Sequence, residues 1–232
     1  MRTALVGVMR WATLVVFVST LFPADATSVL WGLEADDLES GLPVPLSHYR
    51  GKVLLIVNVA SSCGYTQSTY GYLNELHLRY ATQGLSILAF PCNQFHQETG
   101  TPADIFQFAT ETQHARFDLF RKVDVSGPNQ HPIYKFLLGE DASCTDEDGS
   151  CPSWADSGEC ERNVAFMHGA CKRSCKLCTP AEGTRPPIGW NFESFLITRE
   201  GEVHTRWKTG VDLTAAQQTR VIERLLADKV EL

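Results

Sequence analysis

The residues most able to do chemistry are the eight cysteines, and they divide unevenly. Six fall within residues 144–178, CTDEDGSCPSWADSGECERNVAFMHGACKRSCKLC, at spacings of 7, 9, 11, 4 and 3. The other two, Cys63 and Cys92, stand alone. Cys63 follows an apolar run, VLLIVNV, and precedes a helical pattern. A thiol at that junction meets backbone N–H groups and the positive end of a helix dipole, which favour the thiolate, the nucleophilic form. A free cysteine can equally be a small buried hydrophobe, and Cys92, closing a strand, can be read the same way. In the clustered segment, Cys171, Cys175 and Cys178 with His168 could ligate zinc. A single C-x-x-C and an oxidising compartment favour disulfides instead, so no metal site is expected.

The elements that must position these residues follow from periodicity. Residues 53–59 and 85–90 (LSILAF, stopped by Pro91) are continuous apolar runs of buried-strand type. Between them, Tyr72, Leu73, Leu76 and Tyr80 share a helical face that Gly84 ends. Strand, helix and strand in under forty residues make a βαβ unit with parallel strands. Thr101-Pro102-Ala103-Asp104 opens another helix with Ile105, Phe108 and Ala109 inward, and 131–138 forms a further one. Phe195-Leu196-Ile197 and Val203–Trp207 flank Arg199-Glu200-Gly201 as a hairpin. Thr214 and Gln217 predict a capping box for a last helix that turns Val221, Ile222, Leu225 and Leu226 inward. The class is α/β, with the cysteine-rich segment inserted between a helix and the hairpin.

Three motifs then identify a family. Asn58-Val59-Ala60-Ser61-Ser62-Cys63-Gly64-Tyr65-Thr66, Phe90-Pro91-Cys92-Asn93-Gln94-Phe95 and Trp190-Asn191-Phe192 resemble, in order, the signature motifs of glutathione peroxidases. The resemblance runs from about residue 30 to 228 with the insert excluded. It implies a thioredoxin-like fold, a peroxidatic Cys63, and Gln94, Trp190 and Asn191 as its catalytic companions. Donors at these places would stabilise the sulfur anion and the leaving oxygen. The sulfenic acid formed on Cys63 must be reduced by a thiol. No bound cofactor is implied; the co-substrate is glutathione or a protein dithiol. The stretch FATETQHARFDLF lacks the later resolving cysteine of thioredoxin-dependent relatives. Glutathione could therefore act directly, or Cys92 could resolve Cys63, as the resemblance to secretory-pathway cysteine-type members implies, with protein disulfide isomerase as partner. His96 stands where the family usually has glycine, either as a solvated loop residue or as a titratable donor near the site.

Residues 144–178 resemble an ShK-toxin-type domain through C-x-D, W-A-x-x-G-x-C, N-x-x-F-M and C-x-x-x-C-x-x-C. The resemblance implies Cys144–Cys178, Cys151–Cys171 and Cys160–Cys175; sequence alone allows fifteen pairings. Channel-blocking relatives carry Lys before an aromatic residue, but here the pair is Ala165-Phe166, so channel blocking is not expected. The module is a spacer, or a surface that gates substrate or docks a protein.

Targeting signals complete the reading. Residues 1–26, with Arg2, Arg10, an eleven-residue apolar run and Ala24-Asp25-Ala26, read as a signal peptide too short for a membrane span. Residues 27–143 and 179–228 then form the discontinuous catalytic domain. Lys229-Val230-Glu231-Leu232 resembles a K-D-E-L retention signal, which places the protein in the endoplasmic reticulum lumen, or outside the cell if that tail is not read. The formal charge of −7 is spread along the chain and argues against a nucleic-acid partner. No Asn-x-Ser/Thr acceptor occurs. Three functions remain open: a thiol-dependent peroxidase acting on hydrogen peroxide or small hydroperoxides, a peroxide-driven generator of protein disulfides, and a binding protein acting through the module.

Overall fold

The computed structural model describes residues 29–139, 146–177 and 184–228. The predicted signal segment, the C-terminal tetrapeptide, Cys144 and Cys178 lie outside those residues. In chain order the strands are β1 (Glu34–Asp36), β2 (Pro43–Pro45), β3 (Val53–Val59), β4 (Leu85–Pro91), β5 (Asp118–Leu119), β6 (Ser194–Ile197) and β7 (Val203–Trp207). The helices are α1 (Thr66–Tyr80), α2 (Pro102–Gln107), α3 (Pro132–Leu138), α4 (Cys151–Asp156), α5 (Glu159–Arg162), α6 (Val164–Ala170) and α7 (Ala216–Ala227).

Five strands form one sheet in the order β5-β4-β3-β6-β7. β3 runs parallel to β4 and antiparallel to β6. Every residue of β3 is buried, because both faces of the sheet are covered. Alternation sends Val53, Leu55, Val57 and Val59 to one face, where α1 supplies Tyr70, Leu73, Leu76 and Tyr80 and α7 supplies Ile222 and Leu225. Leu54 and Ile56 face the other way, onto Ile133, Tyr134, Leu137 and Leu138 of α3. Each such aliphatic side chain contributes about 1.5–3 kcal/mol on burial. The sheet is therefore held from both sides, and its strand ends are rigid supports.

Several local expectations meet the structure closely. Thr101 caps α2 and Asp104 completes a reciprocal capping box. Gly84 takes a left-handed conformation, φ 102°, after a 3-10 turn that follows α1. Two expectations need correction. Thr214 and Gln217 form no capping box: the Thr214 hydroxyl donates to Asp212 Oδ1 at 2.7 Å, so α7 starts at Ala216 with Ala215 as an uncapped N-cap. An aspartate two residues upstream captures the hydroxyl before the helix can use it. β4 also runs through Pro91 instead of stopping before it, in register with Val59.

The inserted module contains α4, α5 and α6, with Cys151 bonded to Cys171 and Cys160 to Cys175. Its attachment is a closed neck. The Arg185 N–H donates to the Leu138 carbonyl at 2.7 Å, and the Thr184 hydroxyl to the Gly139 carbonyl at 3.0 Å. The chain thus leaves at the end of α3 and returns to the same place.

Candidate active site

The register of the sheet brings the three motifs to one end. Cys63 lies four residues beyond β3, and Gln94 three beyond β4, which ends level with it. β6 is antiparallel, so its beginning lies at that same end; Ser194 pairs with Val57. Trp190 and Asn191, just before β6, are delivered beside the other two loops.

Cys63 sits in a turn closed by Thr66. The Cys63 N–H donates to Thr66 Oγ1 at 3.1 Å, and that hydroxyl donates to the Ala60 carbonyl at 2.8 Å. The thiol is buried at 9% exposure, packed into the α1 side of the core. From the adjacent loop, the Gln97 carbonyl accepts from the Ser62 N–H at 3.0 Å. Glu98, only 1% exposed, accepts from the Ser61 hydroxyl at 2.8 and 3.1 Å, and its N–H donates to Asn93 Oδ1. Burial pushes the Glu98 carboxyl above its usual range, opposed by the Ser61 hydrogen bonds and the charge of Lys122.

Gln94 is pinned at both ends of its amide. Its Oε1 accepts from the Val125 and Ser126 N–H groups at 2.7 and 3.0 Å, and its Nε2 donates to the Ser126 carbonyl at 2.8 Å. Asn191 is fully buried; its Nδ2 donates to Gln97 Oε1 at 2.8 Å, and its Oδ1 has no partner among the described residues. Trp190 is 40% exposed and its ring lies 5.2 Å from that of Phe95. His96 is exposed and adopts φ 58°, the left-handed region that explains why a glycine suits this position.

Cys92 lies elsewhere. It follows the parity of Leu88 and Phe90 and packs with α3, on the opposite face of the sheet from Cys63. It is fully buried, and burial pushes its thiol pKa up. In the module, Cys171 and Cys175 are half-cystines, so neither offers a thiolate to zinc. No cluster of three or more metal-ligating side chains occurs among the described residues.

The residues that hold these loops carry no role in the motifs: Asn58 only opens the first of them, and Glu193 and Thr209 lie outside all three. Asn58, inside β3, accepts from the Glu193 N–H and donates to the Trp190 carbonyl. The Thr209 hydroxyl donates to the Asn191 carbonyl at 2.6 Å. Glu193, buried, pairs with Arg206 at 2.5 Å and Lys208 at 3.2 Å. One signal was available: an asparagine within an otherwise apolar buried strand must find partners.

A helix-covered mixed sheet with a cysteine turn, a glutamine loop and an asparagine loop at one end defines a thioredoxin-like thiol oxidoreductase. Comparison with known proteins narrows this. Residues 30–138 match the family described as glutathione peroxidase, and residues 143–178 match the ShK domain-like family. Probable glutathione peroxidase 5 of Arabidopsis thaliana is 38% identical over 192 residues, covering 82% of this chain and 87% of the relative. Hydroperoxy fatty acid reductase gpx1 of Synechocystis sp. is 37% identical over 185 residues, covering 79% and 89%. The crystal structure of T. cruzi GPX1 superposes with a TM-score of 0.51 at 28% identity, covering 85% of this chain and 95% of that one. The chain belongs to the glutathione peroxidase family and is a thiol-dependent peroxidase with an ShK-like region.

Proposed function

We propose that Cys63 is the peroxidatic residue and that it reduces hydrogen peroxide and small organic hydroperoxides. The supporting observation is the convergence of Cys63, Gln94 and Asn191 at one end of the sheet. The Cys63 thiolate attacks one peroxide oxygen, the O–O bond breaks, and its electron pair leaves on the second oxygen. The proton given up by the thiol ends on the alcohol or water released, and sulfur is left as sulfenic acid. A carboxamide nitrogen has two N–H donors. Gln94 spends one on Ser126 and Asn191 one on Gln97, which leaves one each for the leaving oxygen. A first thiol then displaces water from the sulfenic acid to form a mixed disulfide, and a second thiol frees Cys63.

Direct reduction by glutathione or another external thiol fits this arrangement better than resolution by Cys92. A Cys63–Cys92 bond requires Cα atoms within about 7 Å and side chains that face one another. Here the two thiols belong to opposite faces of the sheet, so the end of β4 would have to turn over before oxidation could pass to a disulfide isomerase. The exposed Trp190 and its neighbour Phe95 give the site an apolar rim, and fatty acid hydroperoxides, suggested by the name of the Synechocystis relative, belong among the substrates to test. The endoplasmic reticulum lumen is the proposed location, because the module's disulfides require an oxidising compartment.

The deciding experiment is peroxide consumption with glutathione by the parent, Cys63→Ser and Cys92→Ser proteins. Cys63→Ser is expected to abolish turnover and Cys92→Ser to retain it. Undiminished turnover in Cys63→Ser would overturn the assignment of the nucleophile.

A further inference from the structure

We infer that Gln97 is a positioning residue that fixes which face of the Asn191 amide is presented to the peroxide; this rests on the proposed role of Cys63. Gln97 reaches two of the three loops at once. Its backbone carbonyl accepts from the Ser62 N–H at 3.0 Å, in the cysteine turn. Its side-chain Oε1 accepts from Asn191 Nδ2 at 2.8 Å. A carboxamide is nearly symmetric in shape, so a buried one is oriented only by what its nitrogen and oxygen meet. Asn191 is fully buried and its Oδ1 meets no partner among the described residues. The Gln97 oxygen is therefore the contact that distinguishes the two ends. Without it, rotation about the last side-chain bond exchanges a donor for a lone pair, and a lone pair repels the developing oxyanion. Glu98 steadies the segment from the next position through Ser61 and Asn93.

The two contacts of Gln97 separate under mutation. Gln97→Met is close in size, removes the side-chain acceptor and leaves the backbone bond to Ser62 in place. Two rates on the full-length protein read the outcome: oxidation of Cys63 by hydrogen peroxide, which needs leaving-group donors, and alkylation of Cys63 by iodoacetamide, which needs no stabilised oxyanion. Gln97→Met is expected to slow oxidation by about a hundredfold, as loss of one donor to a developing oxyanion does, with alkylation unchanged. In an Asn191→Ala background, Gln97→Met is expected to add no further loss, because it acts through Asn191. Gln97→Ala, compared with the parent by thermal unfolding, provides a second variant if methionine packs poorly. Oxidation at the parent rate in both variants, losses that multiply with Asn191→Ala, or alkylation that falls in step with oxidation would overturn the inference. Peroxide consumption that persists in Cys63→Ser would instead remove the reading it rests on.

Discussion

His96 carries a cost that its neighbours do not. At φ 58° a side chain with a Cβ crowds its own backbone, a penalty of about 1–2 kcal/mol that glycine avoids. Glycine regains part of that as extra freedom in the unfolded chain, about 0.5–1 kcal/mol. His96→Gly should therefore stabilise the protein slightly, by about 0.5 kcal/mol, and His96→Val should destabilise it, with both changes read from urea unfolding. Glu98 makes a pH-dependent contribution of definite sign. Burial raises its folded pKa above the ordinary 4.5, so the folded state holds its proton to higher pH than the unfolded chain does. Its contribution is fully present in acid and is lost as pH rises through the folded value. The groups around it are half-buried Ser61 and Asn93 and buried Tyr70, with the Cys92 thiol and Lys122 also within electrostatic reach. Glu98→Gln should flatten the stability profile above pH 4.5 relative to the parent; an unchanged slope would show that the carboxylate is not the titrating group.

At the scale of elements, the Trp190-Asn191 loop hangs from β3 and β7 rather than from its own residues. Asn58 in β3 satisfies the Trp190 carbonyl and the Glu193 N–H, so Asn58→Leu strands two backbone groups at a cost of about 2–4 kcal/mol. Arg206 in β7 neutralises buried Glu193 and also donates to the Pro186 and Pro187 carbonyls of the returning neck. Arg206→Met should cost about 3 kcal/mol, because it leaves the buried Glu193 carboxylate with the largely exposed Lys208 as its remaining ion-pair partner. Lys208→Ala should cost less than about 1 kcal/mol, because that partner is largely exposed. Chemical denaturation of the two variants side by side tests the contrast. These supports mark the boundary of what the sequence makes legible. β3, β4, α1 and the late hairpin are readable because long apolar runs and helical periodicity leave few alternatives. β5, two residues long, and the β1–β2 pair carry too little pattern to be seen. The motifs assign roles to Cys63, Gln94, Trp190 and Asn191, but Gln97, Asn58 and Thr209 act through contacts up to 135 positions distant in sequence, as between Asn58 and Glu193, which only the sheet register creates. The β4 ending through Pro91 and the Asp212–Thr214 turn were misread for the opposite reason: a strong local signal was overruled by a neighbour.

At the scale of the whole molecule, the insert and the catalytic body are held together by different forces. The body has a sheet with a core on each face. The module has helices of six, four and seven residues and a buried cluster of Cys151, Met167 and Cys171. Helices that short are not stable alone in water, and a core that small cannot hold them, so the disulfides must. The neck isolates the consequence, since the Leu138–Arg185 and Gly139–Thr184 bonds close the body without the module. One contact runs the other way. The loop bearing Val125 and Ser126, which pins Gln94, faces Asp146–Gly149 of the module across a groove of about 370 Å³. Reducing the disulfides should therefore abolish amide protection in residues 151–171, leave β3, β4 and α1 protected, and raise exchange at Val125 and Ser126 by a smaller amount. Hydrogen exchange before and after reduction separates the possibilities. Loss of protection in β3 together with the module would mean that the insert is a structural part of the fold, and an unmoved Ser126 would mean that it does not touch the Gln94 support. Disulfide removal from a small domain typically costs about 2–5 kcal/mol, more than three short helices can supply in return.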